Sequence, residues 1–344
     1  MVSAREPSLG DKVAFLSRPE AYPHGADGLI RRETHMSWVF LAGDRVYKLK
    51  KPVRFPYLDF STLARREAAC RAEISLNRRL APDVYIGVLP LVASRRGLCL
   101  GGEGETVDWL VVMRRLDERQ SLEAVVREAR LSTVQLDRLI ATLVGFYRHA
   151  RPVLLAADVQ LAAWPKNFTS NRRVLLDPRF DLPSGLVRKI DRALRRFAAE
   201  HGSALQARSL RQRIVDGHGD LRPEHIWLDH AVRIIDCLEF NARLRAVDPL
   251  DEVAFLTVEC ERLGAAWAGR YIRDGIERRL REGVPPALFG FYRAYRAMLR
   301  ARLAIAHLYE PQPRTPEKWP ALARTYLAIA ARDAAALEAA LRTR

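Results

Sequence analysis

No stretch of this chain approaches the roughly 18 uninterrupted apolar residues of a membrane-spanning helix. Nor does an apolar segment follow the charged N-terminal residues as it would in a secretory leader. A soluble, cytoplasmic protein without a membrane partner is therefore expected. Cysteine is scarce: the four residues, Cys70, Cys99, Cys237 and Cys260, show no Cys-x-x-Cys spacing and sit in apolar or helical contexts. That argues against a zinc site and a disulfide framework and for reduced thiols. No repeat of 20 to 50 residues and no low-complexity linker is found, which excludes solenoids and fibrous arrays. The phosphate-loop pattern G-x-x-x-x-G-K-[ST] is missing as well. The glycine run Gly101-Gly102-Glu103-Gly104-Glu105 leads into another strand, whereas phosphate loops lead from a strand into a helix, so it reads as a hairpin turn.

What is abundant is arginine and apolar bulk. The 344 residues are 49% hydrophobic, enough for a substantial core, and carry 57 Lys+Arg against 41 Asp+Glu, a formal charge of +16. Such a balance raises nucleic acid as a partner. The arginines are scattered along amphipathic helices such as 187–210 without a basic tail, and nucleic-acid binding would need them clustered on one face. It is not expected here.

The first third alternates like strands. Ser37 to Leu41, a Gly43-Asp44 turn and Arg45 to Lys50 make a hairpin, with Tyr47 and Leu49 on one face and Val46, Lys48 and Lys50 on the other. A helix from about Thr62 to Leu80 follows, with Ser61 as its expected N-cap, and then strands over 85–92 and 107–113. From Leu116 the periodicity turns helical. Ser132-Thr133-Val134-Gln135 is a capping-box start, residues 186–212 read as one helix, and helices are expected at 271–281, 288–309 and from Thr315-Pro316-Glu317 onward. The fold class is α+β, with residues 1–115 as a strand-rich N-terminal lobe and 116–344 as a helical C-terminal lobe.

Between Asp216 and Asp251 the chain reads DGHGDLRPEHIWLDHAVRIIDCLEFNARLRAVDPLD. Two polar clusters, His218-Gly219-Asp220 and Asp236 to Glu239, interrupt segments patterned as short strands. One aspartate precedes a strand and the other leaves the next, which brings two carboxylates to the same end of a hairpin, a workable place to hold a metal-bound phosphate and a hydroxyl.

This stretch resembles the catalytic and metal loops of the aminoglycoside phosphotransferase and choline kinase-like branch of the protein-kinase fold, which read H-G-D-x-x-x-x-N with an aspartate on the following strand. The segments T-H-x-S-W-V-F-L, V-Y-K-x-K-K-P-V and I-I-D-C-x-E-F-N are similar to an uncharacterised bacterial phosphotransferase-like group, some of whose members carry an appended P-loop ATPase domain. The resemblance implies a bilobal protein-kinase-like fold with an antiparallel-sheet N-lobe, and a small-molecule kinase using ATP and Mg²⁺ or Mn²⁺. Asp220 would take the acceptor hydroxyl and His218 would brace its loop. Asp236 would bind the metal, and Lys48 the α- and β-phosphates under the guidance of Glu73. Lys50 is the alternative to Lys48, and Glu67 to Glu73. Cover for the phosphates would come from the Glu33 to Ser37 segment and the Thr34 and Ser37 hydroxyls, and the adenine edge would meet the backbone of Met113 and Arg114.

One position departs from the pattern. Where the family has a metal-binding asparagine, this chain has His225, an imidazole where magnesium prefers oxygen. Three readings stay open: His225 ligates through a ring nitrogen, Asp236 holds the ion alone with water, or the protein binds nucleotide with little turnover as a regulatory, pseudokinase-like component. The acceptor is unspecified, with a cationic molecule near Asp248, Asp251, Glu252 and Glu239 as one expectation. The Asp248-Pro249-Leu250-Asp251 segment would also buttress the catalytic loop from a helix N-terminus.

Overall fold

The computed structural model describes residues 6–342 apart from 27, 155, 282, 284 and 314. The chain divides into two compact units, residues 1–121 with 225–244, and residues 122–224 with 245–344. Residues 225–244, expected with the C-terminal part, thus pack with the N-terminal one.

The first unit is built on a six-stranded antiparallel sheet in the order β1-β2-β3-β8-β6-β7. These strands are β1 (Ile30–Glu33), β2 (Ser37–Ala42), β3 (Arg45–Lys50), β6 (Tyr85–Ser94), β7 (Gly97–Leu100) and β8 (Glu105–Arg114), and a small hairpin, β4 (Arg54–Phe55) with β5 (Leu58–Asp59), follows β3. Alternation along β3 sends Tyr47 and Leu49 into an apolar layer with Phe40, Leu91 and Leu110, which leaves Lys48 and Lys50 on the opposite face. Helix α1 (Leu9–Leu16) packs on the apolar layer through Val13 and Leu16. Helix α2 (Leu63–Asn77) meets the sheet through Cys70 and Ile74 against Tyr85 and Val111. The glycine run forms the expected turn: Gly101, Gly102 and Gly104 all have positive φ, and a Cβ on Gly104 would lie 2.5 Å from the Ala93 carbonyl oxygen. Beyond it, β9 (Ile226–Leu228) and β10 (Val232–Ile234) form a short antiparallel hairpin.

The second unit is mostly helical: α3 (Leu122–Arg127), α4 (Thr133–His149), α5 (Ala157–Leu175), α6 (Ser184–Glu200), α7 (Gly202–Leu210), α8 (Pro249–Arg262), α9 (Ala266–Leu280), α10 (Pro286–Ala306) and α11 (Lys318–Arg342). The capping box at Ser132 and Gln135 is present. The single helix expected over 186–212 is broken at His201, where the backbone leaves the helical region, and Gly202 restarts it against Leu161 at a Cβ distance of 3.2 Å. Helix α5 carries Pro165 in its interior, a residue that costs an intrahelical hydrogen bond. Among the described residues no helix is long and apolar enough to cross a membrane.

One buried ion triad ties the first unit together. Asp108 is 1% exposed and accepts from Lys12 Nζ at 2.9 Å and from Arg66 Nε at 2.7 Å, joining α1 and α2 to β8. Removing a partner from such a buried group leaves uncompensated charge, which costs about 3–5 kcal/mol. Asp108→Ala is expected to destabilise the protein by that amount in urea unfolding, and a loss under about 1 kcal/mol, the range of surface pairs, would show that the two cations find water.

Candidate active site

In the first unit the site grows from one strand face and one helix. Lys48 and Lys50 are two residues apart on β3, so both ammonium groups point toward α2. Lys48 Nζ donates to Glu73 Oε1 at 2.9 Å and Lys50 Nζ to Glu73 Oε2 at 2.6 Å. The two candidate lysines therefore share one carboxylate. Glu67 takes no part, pairing with Arg71 one turn along the same helix at 2.8 Å.

Each lysine has a second acidic partner on the segment after β10. Lys48 donates to Asp236 Oδ1 at 2.8 Å and Lys50 pairs with Glu239. The two pairs differ in access to water. Both side chains of the Lys50–Glu73 pair are fully buried and Glu239 is 7% exposed, whereas the Asp236 side chain is 45% exposed. Two ammonium groups face three carboxylates, an excess of one negative charge. Burial alone would pull the Lys48 ammonium down, but Asp236, Glu73 and Glu239 outweigh it and hold its pKa well above the ordinary lysine value. Burial would raise the Glu73 carboxyl, and the two lysines instead hold it below its usual range. Glu239 goes the other way, pushed up by burial and by Glu73 beyond what Lys50 and Lys48 offset.

The helix that carries Glu73 is anchored at both ends. Its N-cap is Thr62, whose hydroxyl oxygen accepts from the Arg65 amide at 3.3 Å. The expected cap, Ser61, donates instead to Asp59 at 2.6 Å. At the other end Asn77 donates to the Glu73 carbonyl and accepts from the Cys237 amide, both at 2.8 Å, so a single amide side chain ties α2 to the residue after Asp236. Sequence reasoning missed Asn77, whose signal was a polar residue on the buried stripe at the helix end. Asp236 has φ +63°, a left-handed conformation that aspartate tolerates better than most residues, and its amide donates to the Tyr85 hydroxyl at 3.2 Å. His225 is buried, its carbonyl accepts from the Ile235 amide at 2.9 Å, and its Nε2 lies 3.5 Å from Asp236 Oδ2.

Thr34 Oγ1 donates to the Ser37 carbonyl and accepts from the Ser37 amide at 3.0 and 2.9 Å, closing the β1–β2 turn. Ser37 itself is buried opposite Lys50 in the ladder, so these residues pin the turn and the lysine face, and the Thr34 hydroxyl is already engaged. The Arg114 and Arg115 amides donate to the Val84 and Asp44 carbonyls at 2.8 and 2.7 Å, while Met113 is buried in the ladder.

The second unit holds the His218-Gly219-Asp220 loop. Glu252, near the start of α8, accepts from the His218 amide at 3.0 Å, the Gly219 amide at 2.5 Å and the Tyr147 hydroxyl at 2.9 Å. Burial pushes the Glu252 carboxyl up, and these hydrogen bonds oppose it. Gly219 has φ +88°, a left-handed turn conformation that favours glycine, and a Cβ on Gly217 would lie 2.6 Å from Val247 Cγ2, a close approach that glycine permits. His218 is fully buried. Asp220 Oδ2 accepts from Arg222 Nε at 3.0 Å, and Arg222 also pairs with Glu224 at 2.7 Å. Asp248 is held by Arg208 at 2.6 and 2.8 Å and Asp251 by Arg296 at 2.7 and 2.6 Å. With Glu252 on backbone amides and Glu239 on Lys50, the four carboxylates considered for a cationic acceptor are all committed. Through these pairs Asp248 and Asp251 hold α8 to α7 and α10.

No family model matches the chain. In sequence it is 34% identical over 285 residues to uncharacterised proteins of Mycobacterium tuberculosis and Mycobacterium bovis, matching 82% of this chain and 56% of theirs. The chain thus spans about half the length of the curated relatives it matches. Among solved structures, it is similar to a choline/ethanolamine kinase family protein from Mesorhizobium loti, with TM-score 0.52 and 18% identity over 96% of this chain and 100% of that one. A thermostable mutant of the aminoglycoside phosphotransferase APH(4)-Ia gives TM-score 0.54 and 14% identity over 91% and 96%. Choline kinase from Cryptosporidium parvum gives 0.53 and 9% over 90% of each chain. The chain has the protein-kinase-like fold of the aminoglycoside phosphotransferases and choline kinases. In this chain the Lys50–Glu73–Glu239 group is buried, and Asp236, the second partner of Lys48, is the more exposed acid of the cluster.

The difference in burial sets unequal costs for removing the two lysines. Lys50→Met leaves Glu239 without a partner in a dry site and is expected to cost about 3–5 kcal/mol of stability. Lys48→Met leaves Glu73 paired with Lys50 and Asp236 half in water, and should cost under half as much. Denaturant unfolding without ligand measures both, and equal losses would mean the two lysines do the same job.

Proposed function

We propose that this protein is an ATP-dependent phosphotransferase that phosphorylates a hydroxyl group of a small molecule. The observation that carries the reading is the Lys48–Glu73–Asp236 arrangement: a buried carboxylate fixes a lysine beside a half-exposed aspartate, in a chain with the fold of small-molecule kinases. Phosphoryl transfer asks the protein mainly for positioning and charge. Lys48 would release Asp236 and turn its ammonium to the nucleotide phosphates, while Glu73 keeps its direction. Asp236, whose side chain is 45% exposed, and His225 are the residues that would hold a divalent cation, and such an ion when bound would screen the phosphate charge. The donor set fits an ion that shares its remaining positions with phosphate oxygens and water.

Asp220 would accept the hydrogen bond of the acceptor hydroxyl. As the acceptor oxygen bonds to the γ-phosphorus and the bond to the β-phosphate oxygen breaks, the hydroxyl proton passes to the Asp220 carboxylate and on to solvent. Glu252 holds the loop through two amides and keeps Asp220 in place. Solved relatives in fold include a phosphotransferase in ternary complex with AMP-PNP and hygromycin B, which supports nucleotide use and a small-molecule acceptor here without naming that acceptor. One observation favours a second reading, a nucleotide-binding regulatory protein with little turnover: the Asp220 carboxylate is paired with Arg222, which competes with an incoming hydroxyl.

Purified protein with Mg²⁺ or Mn²⁺ is expected to hydrolyse ATP slowly without acceptor. Asp220→Ala should reduce this by about a hundredfold or more, as for loss of a general base, and leave nucleotide-dependent thermal stabilisation intact. Undiminished turnover in that variant would remove Asp220 from the chemistry. Nucleotide stabilisation without turnover, across an acceptor panel screened for a phosphate mass increment, would favour the regulatory reading.

A further inference from the structure

The segment from His225 to Asp236 is a short hairpin whose two ends face each other. The His225 carbonyl accepts from the Ile235 amide at 2.9 Å, so the backbone at the hairpin root is fixed on both sides. From that root His225 Nε2 and Asp236 Oδ2 converge to 3.5 Å. The two carboxylate oxygens have separate duties: Oδ1 takes the Lys48 ammonium at 2.8 Å, and Oδ2 faces the imidazole. The Asp236 side chain is 45% exposed and the His225 side chain 9%, so the imidazole is held by packing while the carboxylate opens to solvent. Two donors bound at right angles to one ion, each near 2.1 Å from it, are roughly 3 Å apart. A small side-chain rotation brings this nitrogen and oxygen to that spacing.

We infer that His225 and Asp236 form a mixed nitrogen and oxygen site that prefers a first-row transition cation, with Mn²⁺ as its probe, over Mg²⁺. Magnesium is a hard cation that favours oxygen and keeps its water, whereas imidazole raises affinity along the first transition row. Histidine in place of an amide oxygen therefore changes the ranking of ions. The buried ring cannot swing into bulk solvent, and the left-handed backbone at Asp236, φ +63°, fixes the direction from which the oxygen arrives. The Lys50–Glu239 brace takes Glu239 out of competition as a third ligand. The inference bears on which ion the proposed phosphotransferase uses, and in its nucleotide arm it rests on that reading.

The test is Mn²⁺ binding to the full chain, followed by loss of the free-ion electron paramagnetic resonance signal, first with Mn²⁺ alone and then with AMP-PNP. Mg²⁺ serves as the competitor. Pulsed measurements on the bound ion read nitrogen coupling directly, and protein labelled with ¹⁵N-histidine separates an imidazole ligand from any nucleotide nitrogen. The expected result is Mn²⁺ bound at least about tenfold more tightly than Mg²⁺, with a coupling that changes on histidine labelling. His225→Asn should abolish the coupling and bring the two ions within about threefold of each other. His225→Gln provides the same comparison should the asparagine variant fold poorly, and the wild-type coupling needs no variant. Bound Mn²⁺ without histidine coupling, no Mn²⁺ binding in either arm, or an Mn²⁺ to Mg²⁺ ratio unchanged in the variants, overturns the inference. Histidine-coupled Mn²⁺ with no effect of AMP-PNP would uphold the site and count against the phosphotransferase reading.

Discussion

The first unit depends on one carboxylate held by two ammonium groups. Glu73 is fully buried, and a lone charge there would cost several kcal/mol. Lys48 and Lys50 meet its two oxygens separately, so the helix is fixed against the strand in rotation as well as in distance. Because the brace is completed by Glu239, the segment that carries Asp236 is held by the same cluster. Asn77 adds a neutral tether between the helix end and the Cys237 amide. Together these contacts order the segment that bears Asp236.

Part of the arginine content has a structural account in the second unit. Helix α8 is buried along most of its length and carries Asp251, Glu252, Glu259 and Glu261. Arg293, Arg296 and Arg300 lie on one side of α10 at helical spacing and meet those carboxylates or Asp333: Arg296 reaches Asp251, Arg300 reaches Glu259 at 2.8 Å, and Arg293 reaches Glu261 and Asp333 at 2.6 and 2.9 Å. Guanidinium suits this work, since its planar fork satisfies both carboxylate oxygens and stays charged when buried. These arginines weld helices together and add nothing to a surface for an anionic polymer.

Much of the first unit was legible in the sequence. The β2–β3 hairpin follows from period-2 alternation around Gly43-Asp44, and the glycine run reads as a turn because strands flank it. The capping box at Ser132 is a local motif with local consequences. Less legible were features fixed by neighbours. The cap of α2 moved from Ser61 to Thr62 because Asp59 captures the Ser61 hydroxyl, and the helix expected over 186–212 broke where Gly202 meets Leu161. The amides of Arg114 and Arg115 are held by the Val84 and Asp44 carbonyls, partners that no local motif announces.

By itself the sequence determined the strand-rich first third, the helical remainder, and the residue types of the candidate site, because hydrophobic period and short polar motifs are local properties. It left open which lysine and which glutamate pair, and offered Asp248, Asp251, Glu252 and Glu239 as neighbours of a cationic acceptor. Only the tertiary structure decided these points. Both lysines share Glu73, Glu67 stays with Arg71, and each of the four carboxylates is neutralised by arginine, lysine or backbone amides. The physical reason is that a charge's role is set by what lies within a few ångströms of it and by how much water it keeps. The partners of Glu73 come from 23 and 25 residues away, and Asp236 meets Lys48 across 188, distances over which only folding brings them together.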